Sequence, residues 1–166
     1  MIDLGPQAAP AAQVAVTWSL VGLIWTIQVV HYPLMAQVGE ARYAEYQRDH
    51  MRRITWLVGP LMLSEVGLAL GLWMRAATPA EERLGLLGAL LLLIVWGATA
   101  VFSVPAHGRL ESGFDPAAHR RLVGSNWIRT AAWTLRGVLA LVWWAEVAGV
   151  GFGELGAAGA GAPGSG

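Results

Sequence analysis

The stretch LGLLGALLLLIVWGATAVFSVPA, residues 84–106, has no charged residue and is long enough to cross a bilayer as one helix. A helix needs about twenty mostly apolar residues to span the hydrocarbon core. Three further long, mostly apolar stretches lie on either side of it, at 13–36, 54–75 and 127–149. The sequence therefore predicts an all-α fold, an integral membrane four-helix bundle with up-down-up-down topology over residues 13–149.

The composition is typical of a membrane protein. Of the 166 residues, 55% are hydrophobic and 13% are charged, whereas a soluble domain has roughly 25% charged residues. There is no cysteine and no lysine, so thiolate metal sites, cysteine nucleophiles and Schiff-base chemistry are excluded. The net charge is zero and there is no basic tail, so we expect no nucleic acid among the partners and expect the lipid bilayer instead.

Arginine placement predicts the orientation of the spans, because cytoplasmic loops are enriched in positive charge. The two long loops hold Arg42, Arg48, Arg52, Arg53, Arg109, Arg120 and Arg121, whereas the opposite side holds Arg75 and Arg83. We therefore predict a multi-pass protein of the inner (cytoplasmic) membrane with both termini extracytoplasmic. Residues 1–12 form an extracytoplasmic segment, and the Gly/Ala-rich tail at 150–166 is predicted to be disordered.

Polar residues concentrate at the predicted cytoplasmic end of the bundle. All four histidines lie there, namely His31, His50, His107 and His119. They are joined by Gln28, Tyr32, Arg53, Ser103, Asn126 and Arg129. The other half of the bundle shows no comparable group, so we expect the functional site at the cytoplasmic end.

Helical phase, at about 100° per residue, puts polar and aromatic side chains on one face of three spans. These faces contain Trp25, Gln28 and Tyr32 in the first span, Trp96, Thr99 and Ser103 in the third, and Asn126, Arg129, Trp133 and Arg136 in the fourth. His107 joins the second set if Pro105 leaves the helix intact. Because lipid cannot satisfy such groups, they should face the bundle interior. We predict a pocket for a flat hydrophobic molecule, with Tyr32, Trp25, Trp96, Thr99, Ser103 and Trp133 as its substrate-binding residues.

Two ionisable residues lie deeper in the spans. Glu65 and Arg136 reach a similar depth near the middle of the membrane. An isolated charge there costs at least about 2.5–3.5 kcal/mol, so we predict that they form a buried ion pair. The pair either fixes the register of the helices or takes part in function.

The histidines have two interpretations. His31, His50 and His107 could ligate a transition metal or haem, since imidazole is the usual ligand where thiolate is absent. In the alternative, they are interfacial residues bonded to loop carbonyls and lipid headgroups. Loop 37–53 places Tyr43, Tyr46 and His50 on one face. That pattern predicts an amphipathic helix that either anchors at the interface or covers the inner cavity.

The stretches TAVFSVPAHGRLESG and RLVGSNWIRTAAW resemble a family of small four-span membrane proteins that includes the anthrone oxygenases of polyketide pathways. The resemblance covers about residues 95–137 and consists of Thr99, Pro105, Leu110, Asn126 and Arg129, with His107 where the family often has Asn. In the first half, only the two spans and the HYP end of the first span agree.

The resemblance implies a bundle with a cytoplasmic-side pocket in which O2 is added to an aromatic carbon acid without metal or flavin. Such chemistry needs a base, for which His31 or His107 is suitable, and oxyanion donors, for which Arg129, Asn126 and Gln28 are suitable.

The predicted function is therefore an oxygenase-like or oxidoreductase enzyme for a hydrophobic aromatic or quinone-like molecule. The alternatives are a haem- or metal-binding redox subunit using His31 and His107, and a transporter or accessory subunit. The cofactor is either none or haem or a transition metal, and assembly as a homo-oligomer or membrane-complex subunit is open.

Overall fold

The computed structural model describes residue 5 and residues 7–149. Over this range the chain is helical and has no β-strand. The four long helices are α1 (Ala8–Met35), α2 (Glu40–Trp73), α3 (Pro79–Leu110) and α4 (Pro116–Val147). The prediction of an all-α fold with four helices is confirmed. The predicted tail at 150–166 lies outside the described residues.

Three of the helices, α1, α2 and α3, are long and apolar enough to cross a membrane, which indicates a membrane protein. Helix α4 is not among them. Its buried side carries the polar residues Asn126, Arg129, Thr130 and Arg136. That side faces the other helices, because lipid offers such groups no partners.

Two helices extend well beyond the predicted spans. Helix α2 begins at Glu40, ahead of the predicted span 54–75. Helix α4 begins at Pro116, ahead of the predicted span 127–149, at the start that Asp115 and Pro116 indicate in the sequence. The predicted loops at 37–53 and 107–126 are therefore largely helical. The amphipathic segment of the first loop joins the apolar run without a helix-breaking residue, so the two form one continuous helix. Where the membrane boundaries lie along these helices stays a prediction.

Side-chain caps define the starts of α3 and α4. The Thr78 hydroxyl accepts a hydrogen bond from the Glu81 amide at 3.2 Å, and Pro79 follows at the first helical position. The Asp115 carboxylate accepts from the amides of Ala117 and Ala118. These bonds, with the Ala118 amide first, lower the pKa of the Asp115 carboxyl from its ordinary value.

Helices α1 and α3 each contain one π-helical turn near their C-terminal ends, at Ile27–His31 and Thr99–Ser103. Pro33 and Pro105 follow these turns at the same spacing. A proline inside a helix lacks the amide donor and clashes with the preceding turn, and a widened turn accommodates it without ending the helix. Helix α3 therefore continues through Pro105 to Leu110, and His107 stays on it. Such π-helical turns are frequent at functional sites.

The four helices pack as a ring in chain order, with α1 against α2 and α4, and α3 against α2 and α4. Neighbours run antiparallel: Thr17, early in α1, bonds Glu65, late in α2, and Gly88, early in α3, bonds Arg136, late in α4. Two apolar clusters fill the interior. The cluster at the end that carries the π-helical turns contains Tyr32, Met35, Tyr43, Leu110 and Leu122, and the other contains Leu20, Val21, Ile24, Val95, Ala132 and Trp133.

Gly85 provides a test of this packing. A Cβ at Gly85 would overlap the ring of Trp73, at the close approach of α3 to the end of α2. Overpacking of this kind costs about 1–3 kcal/mol, so Gly85→Ala should lower the melting temperature of the purified protein. The matched control is Gly97→Ala, where nothing lies within 4 Å of the added Cβ, and its melting temperature should be unchanged or higher. Equal melting temperatures for Gly85→Ala and the wild type would contradict the packing.

Candidate functional site

A cavity of about 320 Å³ lies between α2 and α3, toward the start of α2 and the end of α3. This volume is within the range of small-molecule sites. Most of the wall is apolar and includes Ile54, Val58, Met62, Leu63, Trp96 and Val104. A few polar side chains complete it, namely Tyr32, His50, Thr55, Thr99, Ser103, His107 and Arg129. An apolar cavity with a few convergent polar groups is the usual form of a binding site for a hydrophobic molecule.

Arg129 dominates the electrostatics of this cavity. Its NH1 donates to the Ser103 hydroxyl at 3.1 Å and to Asn126 Oδ1 at 3.2 Å. Its guanidinium lies 5.1 Å from the centre of the Trp133 ring. The Nε atom is buried without a hydrogen-bond partner, and no carboxylate bonds Arg129 within the described part of the chain. Buried charges are normally paired with an opposite charge. Arg129 has no such partner among the described residues, so its guanidinium is available to an anionic group of a ligand.

Gln28 and Asn126, which the sequence assigned as catalytic, do not line this cavity. The Asn126 amide donates to Gln28 Oε1 at 2.7 Å, and its own Oδ1 accepts from Arg129. The Gln28 amide in turn donates to the carbonyl of Val123 at 3.4 Å. This chain of bonds directs the oxygen of Asn126 toward Arg129, so the two amides hold the guanidinium in place.

His107 is held by Gln47, a residue that the sequence analysis missed. Gln47 Nε2 and His107 Nδ1 lie 2.8 Å apart, and Gln47 is fully buried. The amide can donate to a bare Nδ1 or, turned over, accept from Nδ1–H. The second arrangement leaves the lone pair of Nε2 available to a ligand. Gln47 follows Tyr43 by four residues, so it shares the face on which the sequence placed Tyr43 and His50.

The three histidines predicted as metal ligands lie side by side, with His31 stacked on His50 and His107 tilted by 34° against His50. The rings of His31 and His50 are 4.2 Å apart and tilted by 21°, and those of His50 and His107 are 5.9 Å apart. The lone pairs of imidazole lie in the ring plane, so the nearly parallel rings of His31 and His50 cannot direct them to one ion. In residues 7–149, no group of three or more His, Asp or Glu side chains could hold a metal ion. His50 contacts both other rings, so a haem between His31 and His107 would have to displace it. His31 and His50 are therefore not arranged to ligate one ion, and a role of the histidines in binding a metal or a haem stays a prediction.

A second, open groove of about 540 Å³ lies along the first turns of α2. It is lined by His31, Arg42, Glu45, Tyr46, Asp49, His50, Arg53, Ile54 and Leu57. His50 and Ile54 line both this groove and the cavity. The amphipathic segment predicted in 37–53 therefore packs against the end of the bundle, with Tyr43 fully buried against Phe114. His50 lies between the charged groove and the apolar cavity.

The predicted substrate-binding aromatic residues are split by the structure. Trp96 lines the cavity, together with Thr99, Ser103 and Tyr32. Trp25 does not, because its Nε1 donates to the Thr134 hydroxyl at 3.1 Å and its ring packs edge-on against Trp127. The π-helical turn at Ile27–His31 changes the phase of α1. Trp25, which precedes the turn, therefore does not share a face with Tyr32, which follows it. Trp133 is also outside the cavity and bonds Glu65.

The predicted ion pair between Glu65 and Arg136 is confirmed, with Arg136 Nε 2.8 Å from Glu65 Oε1. The carboxylate also accepts from the Thr17 hydroxyl at 3.1 Å and from Trp133 Nε1 at 3.0 Å. Gln13 donates to Thr17 at 2.7 Å, and Arg136 NH1 donates to the carbonyl of Gly88. The expectation of no comparable polar group in the half opposite the histidines is therefore wrong, because a buried carboxylate needs donors.

No family model matches the chain, and no curated protein and no solved structure matches it either. The fold and the site alone define its class. It is a helical bundle with membrane-length apolar helices and a half-open cavity between α2 and α3 whose apolar wall meets a buried arginine.

Proposed function

We propose that the chain is an up-down-up-down four-helix bundle of the inner (cytoplasmic) membrane, with both termini extracytoplasmic. The three apolar helices, the arginine bias and the antiparallel contacts support this proposal. Helix α4 crosses the bilayer as well. Its buried polar residues are turned inward, while from Trp127 to Trp144 the large exposed residues are apolar, namely Trp127, Ile128, Leu135, Val138, Leu141 and Trp144.

Within this bundle we propose an oxygenase-like or oxidoreductase enzyme that acts on a hydrophobic aromatic or quinone-like small molecule. The observation that carries the proposal is Arg129, a buried cation without a carboxylate partner in the described residues, at an apolar cavity of about 320 Å³. A flat apolar molecule fits such a wall, and a negative charge that develops on its oxygen is stabilised by the guanidinium. Low polarity around the site strengthens this interaction.

The resemblance over residues 95–137 supplies the reaction class. His107 removes a proton from the carbon acid, and the enolate oxygen that results lies against Arg129. O2 then oxidises the carbanion carbon, one oxygen atom becomes the new carbonyl, and the other leaves as water with the two hydrogens of the former CH2 group. His107 suits the base role better than His31, which does not line the cavity. His107 returns the abstracted proton to the departing oxygen, which completes the water.

The test is turnover of anthrone by the protein in lipid nanodiscs, followed by O2 consumption and by the absorbance of anthraquinone. We expect wild-type protein to accelerate the reaction and His107→Ala to lose about 10²–10⁴-fold of the acceleration, as is typical for a general base. The control is His119→Ala, because His119 bonds the carbonyl of Tyr32 outside the cavity. Full turnover by folded His107→Ala contradicts the base assignment. Absence of acceleration by the wild type, despite binding of anthrone, contradicts the reaction class.

A further inference from the structure

A second apolar space adjoins the cavity on the outer surface between α2 and α3. This tail groove, of about 450 Å³, is lined by Leu63, Val66, Leu70, Ala89, Leu92, Leu93 and Trp96. Leu63 and Trp96 line both the cavity and the tail groove. The two spaces therefore meet at Leu63 and Trp96, and together they extend from Arg129 to aliphatic side chains.

The cavity has two borders that lead outward, and they differ in chemistry. One passes His50 into the open groove, where Arg42, Glu45, Asp49 and Arg53 would be desolvated by an aliphatic chain. The other passes Leu63 and Trp96 into the tail groove, which no charged residue lines. An aliphatic extension of a molecule bound at Arg129 is favoured only along the second path.

The position of the tail groove fits the bilayer. Leu63 and Leu93 are 65% and 69% exposed, and both lie within the apolar helices α2 and α3. The segment of α2 from Leu63 to Leu70 is about 10 Å long at 1.5 Å per residue. This is the length of a medium aliphatic chain, and in a membrane the groove would be open to the hydrocarbon from the side.

We propose that the ligand is an amphiphile with an acidic aromatic head at Arg129 and an aliphatic tail in the tail groove, which it enters laterally from the bilayer. The inference rests on the proposed function, since that function supplies the head. It adds that the ligand is a membrane lipid-like molecule, and that α2 and α3 select it by its chain.

The experiment compares two probes by titration calorimetry in nanodiscs. One is 2-hydroxy-1,4-naphthoquinone, an acidic flat ring, and the other is the same ring with a decyl chain at carbon 3. Ala89→Phe fills the tail groove from α3, and Val66→Phe fills it from α2. The control, Leu90→Phe, changes a neighbouring residue that lines neither space and lies about 100° around the helix. Each probe partitions into the lipid to the same extent whichever variant is present. The ratio of two variants' affinities for one probe therefore reports the effect of the groove alone.

We expect both groove-filling variants to bind the decyl probe at least tenfold more weakly than the wild type and to bind the tail-less probe within twofold of it. Leu90→Phe should bind both probes like the wild type. Unchanged affinity for the decyl probe in both groove-filling variants overturns the tail assignment and leaves the groove to ordinary lipid chains. An equal loss for both probes in both variants also overturns it, because the substitutions then act on the head. If neither probe binds the wild type, the proposed function itself fails.

Discussion

Glu65→Ala should lower the free energy of unfolding by about 3–5 kcal/mol, the usual effect of leaving a buried charge without its partner. Glu65 is fully buried and accepts from Arg136, Thr17 and Trp133. Its removal leaves the Arg136 guanidinium to be satisfied by the carbonyl of Gly88 alone. The measurement is equilibrium unfolding of the detergent-solubilised protein, followed by circular dichroism.

A double variant separates the charge from the packing. Glu65→Gln combined with Arg136→Met removes both charges. The one oxygen of the glutamine can accept from Trp133 Nε1, and its NH2 group can donate to the Thr17 hydroxyl oxygen. We expect this variant to recover most of the stability lost in Glu65→Ala, because replacing a whole buried pair is often neutral. Retention of ligand binding by the double variant would assign the pair to packing. Loss of binding in a stable double variant would instead connect the pair to function through Trp133, which contacts both Glu65 and Arg129.

The fold was predictable because its signals are long and repeated. Apolar runs of membrane length identified the helices, and equal depth along antiparallel spans was enough to pair Glu65 with Arg136. The continuity of α2 was not predicted, because a charged amphipathic segment before a span is also typical of a surface helix. Nothing local in the sequence distinguishes the two, since the difference lies in what the segment packs against.

The site was predictable only in part. The resemblance and the helical phase placed Ser103, His107 and Arg129 together, and all three line the cavity. Trp25 was misplaced because phase was counted as a regular α-helix across the π-helical turn at Ile27–His31. The signal in the sequence for this irregular turn is Pro33, which follows it shortly, and Pro105 is the corresponding signal in α3.

Two glutamines were missed for a different reason. Gln47 and Gln13 are single uncharged residues in segments that read as surface or lipid-facing, yet each is almost fully buried. Gln47 bonds His107 and Gln13 bonds Thr17. Their roles depend on partners on other helices, so they follow from the packing and from no pattern within their own helix.

Arg129 and Arg136 lie two turns apart on α4, and we expect opposite effects from replacing them. Arg136 is paired, so Arg136→Met alone should destabilise the protein by leaving Glu65 without its cation. Arg129 has no carboxylate partner among the described residues, so Arg129→Met should leave the stability unchanged or raise it, because a desolvated charge is removed. A stability gain together with a loss of function is the usual signature of a functional residue.

The same Arg129→Met variant should lose about 10²–10³-fold in turnover, the typical effect of removing one donor to a developing oxyanion. Arg121→Met is the matched control, because Arg121 is exposed and stacks on Phe102 away from the cavity. The two measurements, unfolding and turnover, have to be made on one preparation. If Arg129→Met destabilises the protein as much as Arg136→Met and keeps its turnover, then Arg129 is a packing residue that Ser103, Asn126 and Trp133 suffice to stabilise. If Arg129→Met folds as well as the wild type and loses turnover, then the role of Arg129 is to bind a negative charge on the ligand.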